Sequence, residues 1–202
     1  MFQTFETTSN PAAGAARLAA LRAELARLGI DGFLVPRADA HQGEYVAPRD
    51  ERLQWLTGFT GSAGFCIVLP DVAGVFIDGR YRTQVKSQVD LARFTPVPWP
   101  ETKPGDWIRG ALAGGTIGFD PWLHSEDEIA RLTETAGGAV ALKPLARNPV
   151  DAIWPDQPGP PTGRAFVHPD ALAGETGAAK RSRLAAALRE QGQHCPTAFA
   201  GC

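Results

Sequence analysis

Asp78, Gly79 and Arg80 follow directly on the apolar run GVFI (74–77). A carboxylate and a guanidinium at the mouth of a buried strand can be a catalytic pair, an anion clamp, or a turn closed by a salt bridge. Arginine keeps its charge at any working pH, and its planar fork can grip a carboxylate or a carbonyl. Gly79 is expected to free the backbone for a sharp turn, and Asp78 to cap the helix that follows. On these residues alone the plainer reading is a turn, a cap and a surface arginine.

The other polar clusters offer less. "TGFTGSAG" (57–64) suggests a nucleophile elbow, but Gly-x-Ser-x-Gly fails around Ser62 because Thr60 stands where the first glycine belongs. These glycines lie between a helix and a strand, whereas a phosphate cradle needs strand, loop and helix in that order. A glycine-rich turn is the favoured reading. "RADAHQGEY" (37–45), with His41 and Glu44, follows a strand, where α/β proteins gather ligands. Side chains that merely hydrogen-bond the local backbone explain it more simply. His41, His124, His168 and His194 have no partners at metal-ligand spacing. Cys66, Cys195 and Cys202 are odd in number and form no CxxC, which argues against a disulfide framework or a zinc knuckle. Cys66, inside "FCIVL", reads as a buried small hydrophobe.

The elements that must position these residues follow from pattern. Asn10-Pro11 offers a cap and a first helical residue, Leu18, Leu21, Leu25 and Leu28 share one helical face, and Gly29 stops the helix. Strands are expected over 32–36, 65–69, 74–77, 115–121 and 139–145, with a proline-bearing edge strand over 94–100. Further helices are expected after Asp50, over 80–89, and from a Ser125–Glu128 capping box to about Thr135. The sum is an α/β fold, a mixed six-stranded sheet flanked by helices, with 65–77 as an antiparallel hairpin.

"NPVDAIWPDQPGPPTG" (148–163) then carries five prolines and reads as an extended, stiff connector. Beyond it, "RAFVHPD" reads as a strand and 174–192 as a charged amphipathic helix, too little to enclose a core. The expected layout is a tail (1–14), a first domain (15–147), a proline-rich linker (148–163) and the partial start of a second α/β domain (164–202).

Of the 202 residues, 44% are hydrophobic and 21% charged, and the formal net charge is −2 with no basic run. Nucleic acid and membrane surfaces therefore gain no electrostatic support as partners. No apolar segment approaches the roughly 20 residues that span a bilayer. The first residues lack the charged and apolar regions of a signal peptide, so a cytoplasmic protein is expected.

"RADAHQGEYVAP" (37–48), "WLTGFTGSAG" (55–64), "DGRYRTQ" (78–84), "GFDP" (118–121) and "NPVDAIWPDQPGPP" (148–161) stand in a particular order and spacing. In both, the chain resembles the N-terminal domain of three-domain Xaa-Pro aminopeptidases of creatinase/prolidase type. "ALAGETGAAKRSRLAAAL" (171–188) is similar to the start of their second domain. The resemblance spans about residues 15–193 and implies a creatinase N-terminal-domain fold.

It also implies an intact enzyme that releases the N-terminal residue preceding proline. That enzyme uses two divalent metals, usually manganese, held in a C-terminal domain absent from this sequence. A metal-activated hydroxide would attack the peptide carbonyl. Carried to this chain, the resemblance implies a homodimer in which Arg80 reaches the partner's substrate site. Asp78, Gly79, Tyr81 and His41 are supporting residues, and no catalytic residue or metal ligand lies here. After about His194 the pattern of the family is lost in "CPTAFAGC", as in a truncated or frame-shifted product.

The expected function is thus the non-catalytic N-terminal portion of a metal-dependent Xaa-Pro aminopeptidase, inert alone. The rivals are a stand-alone dimerisation or binding module, a prolidase- or creatinase-type hydrolase fragment, and an unrelated α/β hydrolase built on Ser62.

Overall fold

The computed structural model describes residues 9–193, which divide into two units at Pro161/Thr162. In the first unit, β1 (Gly32–Pro36), β2 (Gly64–Val68), β3 (Ala73–Ile77), β4 (Thr95–Pro98), β5 (Gly115–Phe119) and β6 (Val140–Pro144) form one sheet in the order β4-β3-β2-β1-β5-β6. β2 is antiparallel to both its neighbours, and the other pairings are parallel. The mixed six-stranded sheet flanked by helices is the architecture expected from the pattern.

Side chains alternate across a strand, so each strand feeds two cores. Phe33, Val35, Cys66, Val68, Val75 and Ile77 face one core. There they meet α1 (Gly14–Leu28) through Leu18, Leu21 and Leu25, and α2 (Arg52–Thr57) through Leu53 and Leu56. Leu34, Ile67, Phe76, Ile117 and Phe119 face the other. That side is covered by α4 (Pro104–Ala111) and α5 (Glu126–Ala136), with Ile108 and Ala136 buried and Ile129 and Leu132 packed at the margin. Burial pushes the Cys66 thiol up, as befits an inert hydrophobe.

The caps were partly legible. Gly29 ends α1 at φ 65°, and its N–H donates to the Ala26 and Leu25 carbonyls. Ser125 Oγ accepts from the Glu128 N–H at 3.2 Å, as the capping box requires. Asn10 precedes Pro11 but makes no side-chain cap bond. Asp50 does not cap α2 either; Glu51 holds that position, and the Asp50 carboxylate instead accepts from Arg52 Nη1 at 3.0 Å. The single helix expected over 80–89 is two pieces, a 3₁₀ turn Gly79–Tyr81 and α3 (Gln84–Gln88).

The extended reading of 148–163 fails over its first third. Asn148 Oδ1 accepts from the Val150 N–H at 3.0 Å, Pro149 occupies the first helical position, and α6 (Pro149–Ile153) follows. Val150 is buried, and Trp154 stacks on Trp55 with centroids 5.0 Å apart. Residues 157–169 carry neither helix nor strand.

In the second unit the strand expected over "RAFVHPD" is not formed. Phe166 and Val167 stand exposed, and α7 (Asp170–Ala173) and α8 (Gly177–Glu190) follow. Thr176 Oγ1 caps α8 by accepting from the Ala179 N–H. His194, Cys195 and Cys202 lie outside the described residues.

At one sheet edge, β4 holds Pro96 and Pro98. The Trp99 N–H donates to the Ile77 carbonyl, so the odd positions of this strand bond β3 and the two proline nitrogens face outward.

Candidate functional site

Five of the six strands run the same way, so their carboxyl ends share one end of the sheet, where ligands of open α/β folds gather. The loops that carry "RADAHQGEY", "TGFTGSAG" and "DGRYRTQ" all meet there: Gly64 pairs with Ile77, and Pro36 with Phe65.

At the end of β3, Asp78 Oδ1 accepts from the Arg80 N–H at 2.9 Å, closing the 3₁₀ turn as expected of a cap. The guanidinium folds back on the same carboxylate, with Nη2 at 2.7 Å and Nε at 3.1 Å from Oδ2. It also lies against the Tyr81 ring, 5.1 Å from its centroid. The hydrogen bonds from Arg80 hold the Asp78 carboxyl below the usual carboxylate range and push the Arg80 guanidinium up. Both stay ionised near neutrality, and a carboxylate engaged this way is a poor proton acceptor. The Arg80 side chain is 66% exposed, and its Nη1 makes no hydrogen bond among the described residues. A charged donor thus points outward from a fixed turn.

Gly79 does not do what its type suggested. Its φ is not positive, and an added Cβ would meet no atom. The turn would accept alanine, and the backbone there does not require a glycine.

Tyr81 positions the turn. Its Oη shares a 2.5 Å hydrogen bond with Ser62 Oγ, and its ring stands edge-on to Phe59 with centroids 5.6 Å apart. A second clasp lies alongside: the Thr60 N–H donates to Gln88 Oε1 at 2.9 Å, and Gln88 and Gln84 Nε2 donate to Thr60 Oγ1. The glycines of "TGFTGSAG" serve this packing. Gly58 sits at φ 88° against the Gln88 carbonyl, and Gly61 and Gly64 lie so close over the Phe59 ring that a Cβ would collide with it. Ser62 is engaged by a tyrosine, and among the described residues no histidine or carboxylate hydrogen-bonds its hydroxyl, so the nucleophile reading finds no support.

Arg37 ties in the third loop. Its Nη1 donates to the Glu44 and Ser62 carbonyls, and its Nη2 lies 3.5 Å from Glu51. Burial pushes the Glu51 carboxyl up, and Arg37 partly offsets this. His41 is exposed, and no hydrogen bond joins its ring to Asp78, Arg80 or Tyr81. Its backbone N–H, with that of Gly43, donates to Asp39 Oδ1, and these bonds, Gly43's foremost, hold the Asp39 carboxyl low. Arg37, Thr60, Gln84 and Gln88 were not singled out in the sequence, since their partners lie in distant loops.

Among the described residues no group of three or more His, Cys, Asp or Glu is placed to hold a metal ion. His124 is buried beside Phe119, and His168 lies in the irregular stretch after Pro161. The arrangement presents a guanidinium on a fixed turn, a geometry suited to gripping a carboxylate or a carbonyl.

Residues 17–151 match the model of the creatinase/prolidase N-terminal domain. The chain belongs to that family. This creatinase-type domain is 36% identical over 171 residues to the probable Xaa-Pro aminopeptidase P of Neosartorya fischeri, matching 79% of the chain and 25% of the relative. It is 38% identical over 167 residues to that of Paracoccidioides lutzii, covering 79% and 27%. The X-prolyl aminopeptidase of Caenorhabditis elegans, described as a cytosolic enzyme with a di-nuclear active site, superposes with TM-score 0.78 at 28% identity over 89% of the chain and 32% of its own length. The N-terminal domain of the cytoplasmic peptidase PepQ from Mycobacterium tuberculosis does so with TM-score 0.53 at 26% identity, over 68% of the chain and 98% of that domain. The chain therefore spans about a quarter of the length of the curated relatives it matches.

Proposed function

We propose that the chain is the N-terminal, non-catalytic portion of a metal-dependent Xaa-Pro aminopeptidase, an enzyme that removes the residue preceding a proline. The observation that carries this reading is the DGRY turn. A guanidinium anchored by Asp78 and Tyr81 still offers a charged donor to solvent. The match to relatives named as Xaa-Pro aminopeptidases supplies the substrate class.

In this reading the chain gives homodimer contacts, and Arg80 reaches the substrate site of the partner subunit. Two divalent metals, manganese by resemblance, would supply the hydrolytic chemistry from the part of the enzyme that follows; among the described residues no group is placed to hold one. Residues 164–202 then begin the second domain of the enzyme. The reading takes the enzyme to be cytoplasmic, with neither membrane nor nucleic acid as a partner; no helix of the described residues is long and apolar enough to cross a membrane.

The purified chain, given manganese and an Xaa-Pro peptide, is expected to release no amino acid; robust turnover would overturn the proposal. Joined to the remainder of such an aminopeptidase, Arg80→Ala is expected to raise KM about 10- to 100-fold, the loss of one charge-assisted hydrogen bond. Thermal unfolding should be unchanged, because the side chain is mostly exposed. An unaltered KM would remove Arg80 from the substrate site. A prolidase-type hydrolase is the second reading, left open by the family model, which covers creatinase and prolidase N-terminal domains alike.

A further inference from the structure

We propose that the groove over β1 and β2, between the end of β4 and helices α4 and α5, binds a small aromatic carboxylate. The groove shares no residue with the DGRY turn and its clasps, and it encloses about 520 Å³. That volume falls within the roughly 300–1,000 Å³ of small-molecule sites.

The floor is apolar and stiff. Leu34, Phe65 and Ile67 form it, and Phe65 is held by stacking on the buried Phe76 with centroids 4.6 Å apart. Trp99 stands edge-on to Phe65, with centroids 6.1 Å apart and planes at 82°, and makes one wall. A flat ring laid on Phe65 would meet an aromatic edge at its side, a geometry aromatic groups favour.

The rim selects charge. Lys103 and Arg131 both line the groove. Arg131 Nε donates to the Asp127 carbonyl at 3.1 Å, and neither cation has a carboxylate partner among the described residues. Glu128 is the one acidic lining residue. Two cations against one carboxylate favour an anion, and Glu128 disfavours a multiply charged one such as a phosphate monoester.

The independent sign of a ligand is His124. Its side chain lines the groove and is only 3% exposed, yet neither ring nitrogen makes a hydrogen bond. Glu128 Oε1 lies 3.1 Å from Nδ1 but out of hydrogen-bond alignment. A buried polar group left without a partner is costly, and such groups in native folds usually have a reason. A ligand carboxylate bridging Lys103 and Arg131 would give the imidazole an acceptor.

The test titrates the ¹⁵N-labelled 202-residue chain with naphthalene-2-carboxylate and, separately, with naphthalene-2-carboxamide, following ring N–H signals by NMR. Saturable shifts are expected at the Trp99 indole and the His124 imidazole, with the amide binding about tenfold more weakly. The double variant Lys103→Met/Arg131→Met alters exposed residues and keeps the fold. It should weaken the carboxylate about tenfold and leave the amide unchanged. Absence of saturable shifts at Trp99 up to millimolar probe, or equal affinity for acid and amide, would overturn the proposal. Either result leaves the aminopeptidase reading untouched, since Arg80 takes no part.

Discussion

Replacing Phe59 by alanine is expected to lower the unfolding free energy by about 3–5 kcal/mol, the cost of truncating a fully buried phenylalanine. Phe59 is 1% exposed and is the post around which the loop after α2 winds. Gly61 and Gly64 lack side chains where its ring lies beneath them, so the loop itself has nothing to fill the cavity. Tyr81 would lose the edge contact that seats it, and with it the support for its hydrogen bond to Ser62. The damage therefore reaches the turn that carries Arg80 without touching Arg80. Urea unfolding followed by circular dichroism measures the loss. A change below about 1 kcal/mol, the size of an average substitution, would mean that the loop is held by other contacts.

Arg52→Met is expected to cost about 3 kcal/mol in the same assay. Arg52 is 6% exposed and joins α2 to α6 through paired bonds to Asp151, Nε to Oδ1 at 2.6 Å and Nη2 to Oδ2 at 3.0 Å. A third bond, from Nη1, reaches Asp50 at 3.0 Å. Burial works against the Arg52 charge, but the Asp151 and Asp50 carboxylates more than offset it and push the guanidinium up. Methionine fills much of the same volume but leaves two carboxylates in a half-buried pocket with one cation fewer. Breaking a buried pair in this way costs about 3–5 kcal/mol, and the partial exposure of Asp151 argues for the lower end. The double variant Arg52→Met/Asp151→Leu should recover most of the loss. If the single variant costs nothing, α6 is held by Val150 and Trp154 alone.

These two sites also show what the sequence could and could not reveal. Strand β1 was legible because "GFLVP" is apolar throughout and ends at a proline, and its bounds were met to the residue. The DGRY cap was legible because Asp is a favoured N-cap residue, and its side chain acts within two positions of itself. α6 was missed although Asn148-Pro149 repeats the cap-and-proline signal read at Asn10-Pro11. The density of prolines after it outweighed that signal, yet a proline in the first turn removes no helical hydrogen bond.

The strand over "RAFVHPD" was misread because composition supplies β-formers but not a neighbour to pair with, and none is present among the described residues of that unit. The Thr60–Gln84–Gln88 clasp and the Arg37 bridge depend on which loops meet at the sheet end. Topology decides that, and residue type does not.

The outward prolines of β4 restrict how copies of the molecule can associate. A sheet margin normally offers alternating donors and acceptors, a template on which an incoming chain can crystallise into a ladder or a fibril. Here two successive outward positions have no hydrogen to give, so an incoming strand would find carbonyls facing it and no N–H to donate to its own carbonyls. Growth by adding strands at this margin is blocked, and self-assembly on that side is left to side chains.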